Sequence, residues 1–199
     1  TGERYVQTTT DADGGSGAVW GYDGSEGAMG MSGLGSIQRG SMEEVEIRFP
    51  WRHVRYHFVP DMSGAGRWRG GSGMLWEVEN LGSDVSAATG SSDGDMTQPP
   101  GAAGGNPGPV SKSYVRSADK DTPVRSHRMV TIKTGEIFGK VSGGGGGVGD
   151  PARRDPEAVL ADVNNEYISI DVAKEIYKVV VDADANTVDW DATHMLRGT

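Results

Sequence analysis

The sequence predicts an α+β fold that is mainly β, with long glycine-rich loops and a short C-terminal helix pair. Apolar and polar residues alternate in several segments with the period of two that is typical of strands. In all, 32 of the 199 residues are Gly, which favours loops and turns over long regular elements. Beyond residue 150 the apolar residues recur with helical spacing. We therefore predict a β-rich glycine-loop region over 1–150, a helix pair over 151–182 and a C-terminal tail over 183–199. These form one domain that we expect to be incomplete without a partner chain.

Composition and charge argue against several classes of protein. The net charge is −9 and the pI is about 4.9, whereas binding to nucleic acid or an anionic membrane needs clustered Lys and Arg. No apolar run approaches the roughly 20 residues of a membrane span. The chain has no Cys, which excludes disulfides and thiolate metal sites. We expect a cytoplasmic protein without nucleic-acid or membrane partners. Its low apolar share, 35 %, predicts that a partner covers part of its surface.

Strands and one long loop are expected in the first 59 residues. Residues 1–10 have the aromatic, Val and Thr content of a strand. Residues 11–41 form a loop rich in Gly, Ser and Asp. A loop of that length is either a mobile surface segment or a functional one packed on a partner. Alternating apolar residues over 43–59 predict two strands with a bend at Pro50.

Two histidines, His53 and His57, fall in the second of these strands. The alternation places both on one face together with Arg55. A cationic neighbour disfavours a metal ion, so we interpret them as solvent or interface residues. A metal-binding pair is the minor alternative.

Further short strands are predicted over 74–78, 114–116 and 129–132, with an exposed turn at 119–121 between the last two. Helical signals follow the long glycine run. Asp155 is placed to cap a helix whose first residue is Pro. After a short break, Ser169 can cap a second helix with an apolar stripe.

Two features are candidates for a substrate-binding or interface loop. Arg69 lies in a turn rich in Gly and Ser, where it could face an anion. The alternative is a structural role, in which it bonds loop carbonyls. A run of five glycines carries a large ordering cost, so we expect it to lie against a backbone, a ligand or a partner. With their N–H groups exposed they could line a channel or a subunit contact, and the alternative is a tight backbone crossing. The five are Gly143, Gly144, Gly145, Gly146 and Gly147.

No catalytic motif accompanies these features. The sequence has no zinc-protease, P-loop, nucleophile-elbow or calcium-loop pattern. Thr1 could in principle be a terminal-amine-activated nucleophile, but the nearby cation that this chemistry requires is not evident. Catalytic residues are therefore unknown, and we assign no metal site.

Three segments nevertheless carry recognisable motifs. Residues 60–73 are similar to the pattern PDSgGaGxxRGGxG, residues 101–108 to GxxGGxPG, and the run over 143–162 to GGGGyGDPxxRDPexVxxDV. Together, in this order, the three motifs resemble the hydantoinase B / 5-oxoprolinase family, which includes acetone and acetophenone carboxylases. Two positions depart from the pattern, since Val148 replaces an aromatic residue and Lys178 replaces a Gly. The resemblance covers roughly residues 40–182 and corresponds to the C-terminal portion of a much larger subunit.

The resemblance implies an ATP-dependent complex of several subunits. The expected partners are the N-terminal half of the hydantoinase B-type subunit and a hydantoinase A-type nucleotide-binding subunit. ATP and Mg would lie on the latter, and Mn, Zn or another divalent metal could lie in the missing N-terminal part. The chain would then be one half of a split or cleaved subunit.

Three functions are compatible with this resemblance. The first is carboxylation of a ketone with bicarbonate through a phosphorylated enol, which we favour slightly because these relatives have several chains. The second is ATP-dependent hydrolysis of a cyclic amide such as a hydantoin, 5-oxoproline or a lactam. The third is a non-catalytic structural subunit of such a complex. In each case we expect this chain alone to lack activity.

Overall fold

The computed structural model describes residues 5–7, 13–27, 41–88 and 93–198. Short helices and strands make up a mixed structure with more strand than helix, which confirms the predicted fold class. The four helices within these ranges are Met42–Arg48 (α1), Pro156–Asn164 (α2), Ile170–Glu175 (α3) and Trp190–Arg197 (α4). The strands are Trp51–Phe58 (β1), Met74–Asn80 (β2), Val85–Ala88 (β3), Lys112–Ser117 (β4), Lys120–Val124 (β5), Met129–Ile132 (β6), Ile137–Val141 (β7), Val180–Asp182 (β8) and Thr187–Asp189 (β9).

The main sheet is antiparallel and has the strand order β1-β2-β7-β4-β5. Its central strand is β7, which pairs with β2 on one side and β4 on the other, and Glu77 of β2 lies opposite Gly139 of β7. Two smaller antiparallel pairs, β3–β6 and β8–β9, complete the strands. The predicted strands at 74–78, 114–116 and 129–132 all form, each as or within an element of the structure.

The first of the two strands predicted over 43–59 is wrong, because those residues form α1. Ser41 caps the helix by accepting a hydrogen bond from the backbone N–H of Glu44. Glu44 and Arg48 form an i,i+4 ion pair at 2.6 Å, a spacing that stabilises helices. No residue of α1 is buried, so its apolar alternation does not face a core. Local capping and charge pairing therefore determine the element.

The face shared by the two histidines was also predicted wrongly. A bulge in β1 shifts the register between His53 and Arg55, and a bulge reverses the faces of the residues that follow it. The side chain of His53 is only 7 % exposed and its Nδ1 lies 3.5 Å from Glu46 Oε1. His57 is exposed and its Nδ1 lies 2.7 Å from the carbonyl of Phe58.

The predicted helix pair is confirmed, including both capping residues. Asp155 accepts a hydrogen bond from the N–H of Glu157, and Ser169 accepts one from Val172. An apolar cluster forms around the two helices and β8. Its members include Val159, Ile168, Ala173, Tyr177 and Val179.

The C-terminal tail predicted over 183–199 contains a strand and a helix. Residues 187–189 pair with β8 as β9, and α4 follows with Asp189 as its cap. Thr193 is fully buried, and its Oγ1 accepts a hydrogen bond from the N–H of Val180 at 3.0 Å. This contact joins α4 to the β8–β9 pair.

The predicted strand over 1–10 lies largely outside the described residues, and the described 5–7 are not in a strand. Of the predicted loop over 11–41, residues 13–27 and 41 are described. In the ranges that the structure covers, no helix combines the length and hydropathy of a membrane span.

Candidate functional site

Four glycine-rich segments meet in the interior and form what we call the glycine interlock. They are residues 14–18, 62–73, 101–108 and 142–149. Backbone hydrogen bonds connect them directly: Gly64 donates to the carbonyl of Gly145 at 2.8 Å, and Ala18 donates to that of Gly146 at 2.9 Å. Ala102 donates to the carbonyl of Gly147 at 3.0 Å. The five-glycine run therefore passes through the middle of the interlock.

Glycine is required in this run because backbones approach each other too closely for a side chain. A Cβ added to Gly145 would lie 1.8 Å from the carbonyl oxygen of Ser16, and one added to Gly144 would lie 1.8 Å from that of Met62. The neighbouring atoms belong to the main chain and cannot rotate away as a side chain would. Gly144, Gly145, Gly146 and Gly147 are buried.

The expectation that the N–H groups of this run are exposed is wrong. Gly145 donates to the carbonyl of Gly71 and Gly147 donates to that of Asn106, both at 2.9 Å. Gly143 donates to Ser111 Oγ at 3.0 Å. A phosphate cradle needs several free N–H groups aimed at the ligand. These three N–H groups already donate to atoms of the protein, so the run does not fit a phosphate group in this arrangement.

Arg69 lies inside the protein, beside the interlock, and is only 3 % exposed. Its Nη2 donates to Glu26 Oε1 at 2.7 Å and its Nε donates to Asp162 Oδ1 at 3.3 Å. Its Nη1 donates to the carbonyl of Gly70 at 2.7 Å. The guanidinium also lies over the ring of Tyr167, 4.5 Å from the centroid. Burial alone would lower the pKa of Arg69, but the adjacent carboxylates raise it above its ordinary value.

A second arginine, Arg154, completes this buried cluster. Its Nη1 and Nη2 donate to the two oxygens of Asp23 at 2.7 and 2.8 Å, a bidentate pair. Its Nη2 also lies 2.9 Å from Asp162 Oδ2. Asp162 therefore lies between the two guanidiniums. We call the five residues Asp23, Glu26, Arg69, Arg154 and Asp162 the arginine cluster.

The carboxylates of the cluster differ in environment. Burial raises the pKa of Asp162, and the two guanidiniums oppose that rise. The side chain of Asp23 is 37 % exposed. Partial burial would raise its pKa, but hydrogen bonds and charge from Arg154, with the backbone N–H of Arg69, hold it below its ordinary value. Asp23 thus lies at the outer edge of the cluster and stays ionised.

A separate ion network lies on one face of the main sheet. Glu77 is fully buried, and its carboxylate contacts Arg116 Nη1 at 2.9 Å and Arg55 Nε at 3.2 Å. The hydroxyl of Tyr114 donates to the same carboxylate at 2.5 Å. Burial and the Glu77 carboxylate raise the pKa of Tyr114 to about 12. The Tyr114 ring lies over Gly139, where an added Cβ would meet ring atoms at 2.2 Å.

The interlock and the arginine cluster contain the motifs that resembled a known family, and comparison with known proteins decides the membership. The family profile described as hydantoinase B/oxoprolinase matches residues 1–151. The chain belongs to the hydantoinase B/oxoprolinase family.

Similarity to individual members extends over most of the chain. It is 34 % identical over 189 residues to the beta subunit of caprolactamase from Pseudomonas jessenii, covering 92 % of this chain and 32 % of that protein. It is 30 % identical to the B-type subunit of a putative D-/L-hydantoinase from Pseudomonas sp. (strain NS671), covering 88 % and 30 %. A shorter match, 44 % identical over 54 residues, is to the acetophenone carboxylase delta subunit of Aromatoleum aromaticum, covering 27 % and 8 %.

A solved structure shares the fold. The crystal structure of ATP-dependent caprolactamase from Pseudomonas jessenii superimposes with a TM-score of 0.78 at 31 % identity, covering 94 % of this chain and 33 % of that one. This hydantoinase B/oxoprolinase chain spans about a third of the length of the caprolactamase and hydantoinase subunits that it matches.

Two of the family-pattern positions now have a structural explanation. Asp61 has a φ of 61°, and its carboxylate accepts the N–H of Ser169 at 2.8 Å, so it connects the 62–73 segment to α3. Lys178, which replaces the family's Gly, has a φ of 57°, in the left-handed region that favours glycine.

Sequence reasoning found some members of the arginine cluster and missed others. Arg69 was a candidate, and Arg154 and Asp162 belonged to the family-like motif. Asp23 and Glu26 were missed because they lie in a loop more than 40 residues from any partner. No local pattern marks such a pair.

The charged side chains buried in the described part of this family member are paired with one another. Both guanidiniums of the arginine cluster are paired with carboxylates, and Glu77 is paired with two further arginines. Within the ranges that the structure describes, no three His, Asp or Glu side chains come together as metal ligands. The arrangement can hold four backbone segments and α2 in one fixed geometry.

Proposed function

We propose that this chain is part of a hydantoinase B-type subunit of a complex that uses ATP to hydrolyse a cyclic amide. The observation that supports it is the extent of similarity to proteins named for that chemistry. The caprolactamase beta subunit and the putative hydantoinase match over 92 % and 88 % of the chain. The proposal differs from the slight preference for ketone carboxylation, which rested on the several chains of the carboxylase relatives.

Within that complex the described residues serve as a rigid framework. The N–H groups of Gly143, Gly145 and Gly147 donate hydrogen bonds to other atoms of the chain. The guanidiniums of Arg69 and Arg154 form ion pairs with carboxylates. Backbone packing without side chains leaves little freedom for the segments to move separately. Such a framework holds neighbouring catalytic elements at fixed positions, which is a large part of what a preorganised active site requires.

The ATP site belongs on a different polypeptide under this proposal. The interlock does not fit a phosphate, so no step of the reaction is assigned to ATP at these residues. A hydantoinase A-type nucleotide-binding subunit would hold ATP with Mg, and a further divalent metal would lie in the rest of the hydantoinase B-type subunit.

The proposal is tested by an ATPase assay on the complete complex. ADP and ring-opened product are measured with ε-caprolactam, hydantoin or 5-oxoproline, each alone. We expect ADP release that depends on one of these amides and is matched by appearance of the opened product. Omission of the amide is the control. ADP release that rises only with a ketone plus bicarbonate would refute the proposal.

One observation favours ketone carboxylation as the second candidate. Over 54 residues this chain is 44 % identical to the acetophenone carboxylase delta subunit, a higher value than for the longer matches. The same assay with acetone or acetophenone and labelled bicarbonate distinguishes the two, because only carboxylation incorporates the label.

A further inference from the structure

An exposed aromatic surface projects from the edge of the glycine interlock. Trp20 and Tyr22 are 68 % and 74 % exposed, and Val19 beside them is 58 % exposed. Trp20 packs on Trp68 with ring centroids 4.4 Å apart, and the Arg67 guanidinium lies 5.0 Å from the Trp68 centroid. We call these five residues the aromatic patch. Stacked rings and the paired Val19 and Tyr22 connect its members, whereas a single exposed apolar side chain needs no explanation.

The patch is held rigidly although it is exposed. Val19 and Tyr22 exchange two backbone hydrogen bonds of 3.1 Å, which close a tight turn around Trp20 and Gly21. Gly21 has a φ of 98°, a backbone conformation that glycine adopts readily in turns and that other residues rarely adopt. The turn is attached to the interlock through Ala18, which donates to the carbonyl of Gly146. A binding surface fixed in advance loses little conformational entropy on association.

Its composition matches the centre of a protein interface. Trp, Tyr and Arg dominate the residues whose truncation weakens binding most. Fully buried, an aromatic side chain removes about 150–250 Å² from water. Trp20 and Tyr22 together would bury roughly 300 Å², a substantial share of the about 800 Å² that each partner contributes to a standard interface.

We propose that the aromatic patch docks against the part of the hydantoinase B-type subunit that this chain does not span. Matched relatives are about three times as long as this chain, so a family-length subunit has polypeptide available to cover it. This rests on the proposed function only in taking the chain to be part of such a subunit. The glycine run itself is not the contact, because Gly144 to Gly147 are buried.

Photo-crosslinking in the intact complex tests the docking. Tyr22 is replaced by the photo-reactive residue p-benzoylphenylalanine, and the crosslinked peptides are sequenced by mass spectrometry. We expect crosslinks to hydantoinase B-type sequence outside residues 1–199. Crosslinks to a second copy of these residues, crosslinks to the nucleotide-binding subunit, or the absence of crosslinks would each overturn the proposal.

Two variants measure the strength of the contact. Trp20→Ala should lower the crosslink yield from position 22 at least tenfold, whereas Trp190→Ala should leave it unchanged. Trp190 is a suitable match because it is also a partly exposed Trp, on α4, at 45 %. Circular dichroism and the thermal midpoint of each variant establish that it is folded. Equal loss in both variants would refute a specific role for the patch.

The assay of the proposed function is independent of these outcomes. Crosslinks to hydantoinase B-type sequence in a complex without amide-dependent ATP use would support the docking proposal and refute the proposed function. Amide-dependent ATP use without such crosslinks would support the proposed function and refute the docking proposal.

Discussion

Gly145→Ala should destabilise the protein strongly through the backbone of the interlock. Ordinary van der Waals contact begins at 3.4 Å, and the added Cβ would lie 1.8 Å from the Ser16 carbonyl oxygen. The two backbones would therefore have to separate by about 1.6 Å. Gly145 donates one interlock hydrogen bond, to Gly71, and accepts another, from Gly64, at 2.9 and 2.8 Å. A displacement of this size would break or stretch both.

The expected loss follows from these two effects. Each backbone hydrogen bond contributes about 1 kcal/mol, and overpacking of a close-packed interior costs about 1–3 kcal/mol. Together they predict a loss of about 3–5 kcal/mol in the free energy of unfolding. That is a large share of the about 5–15 kcal/mol by which natural domains are stable.

Urea unfolding followed by Trp fluorescence measures this loss, and Gly17→Ala is the matched control. Gly17 lies in the same interlock, but the nearest atom to an added Cβ is 3.9 Å away. We expect Gly17→Ala to be neutral or to stabilise slightly, by up to about 1 kcal/mol, through the unfolded chain. With a urea dependence of about 2 kcal/mol/M, Gly145→Ala should lower the midpoint by roughly 2 M. Equal midpoints for the two variants would refute the backbone-contact argument.

Three further predictions concern ion pairs, pH and capping. Arg69→Met should lower the free energy of unfolding by about 3–5 kcal/mol, because it removes the ion-pair partner of Glu26 and one of the two guanidiniums beside buried Asp162. Arg52→Met, at an arginine whose side chain is 60 % exposed, should lower it by at most about 1 kcal/mol. Equal urea midpoints would contradict this. Tyr114 has a folded-state pKa of about 12 against an ordinary 10.0, so its stabilising contribution is complete below pH 10 and is lost as pH rises towards 12. In Tyr114→Phe the late phase of the absorbance titration at about 295 nm should become smaller without vanishing, because burial also raises the pKa of Tyr177 to about 12. An unchanged late phase in that variant would contradict the raised pKa of Tyr114. Asp155→Ala should lower the free energy of unfolding by about 1 kcal/mol, because it removes the α2 cap. An unchanged thermal midpoint would show that the cap does not stabilise the protein.

The parts of the fold that sequence predicted correctly are those determined locally. The caps at Asp155 and Ser169 act on N–H groups two and three residues away, so their signals are contained in a short window. Strands β2, β4 and β6 were likewise found from short apolar patterns. The error at α1 has the same origin, because alternation over 43–49 looks like a strand until the Ser41 cap and the i,i+4 ion pair are weighed against it.

Contacts between distant residues account for what sequence could not predict. Arg154 meets Asp23 across 131 positions, and Arg69 meets Asp162 across 93. Charged residues in loops usually face solvent, so nothing in the neighbourhood of Asp23 indicated a bidentate ion pair. The glycine run had an evident ordering cost, yet its neighbours at Ser16 and Met62 come from segments far away in the chain.

The residues that made the family recognisable are largely the residues that hold the framework together. Arg69 and Asp162, from two separate motifs, meet in the arginine cluster, and Asp61 of the first motif joins α3. Close backbone crossings account for the motif glycines. Under the proposed function, a framework of this kind can serve cyclic-amide hydrolysis and ketone carboxylation equally, because both reactions need catalytic groups held at fixed positions. The motif residues therefore identify the family through the framework they build, whereas under the proposed function the choice of substrate depends on residues that the framework positions.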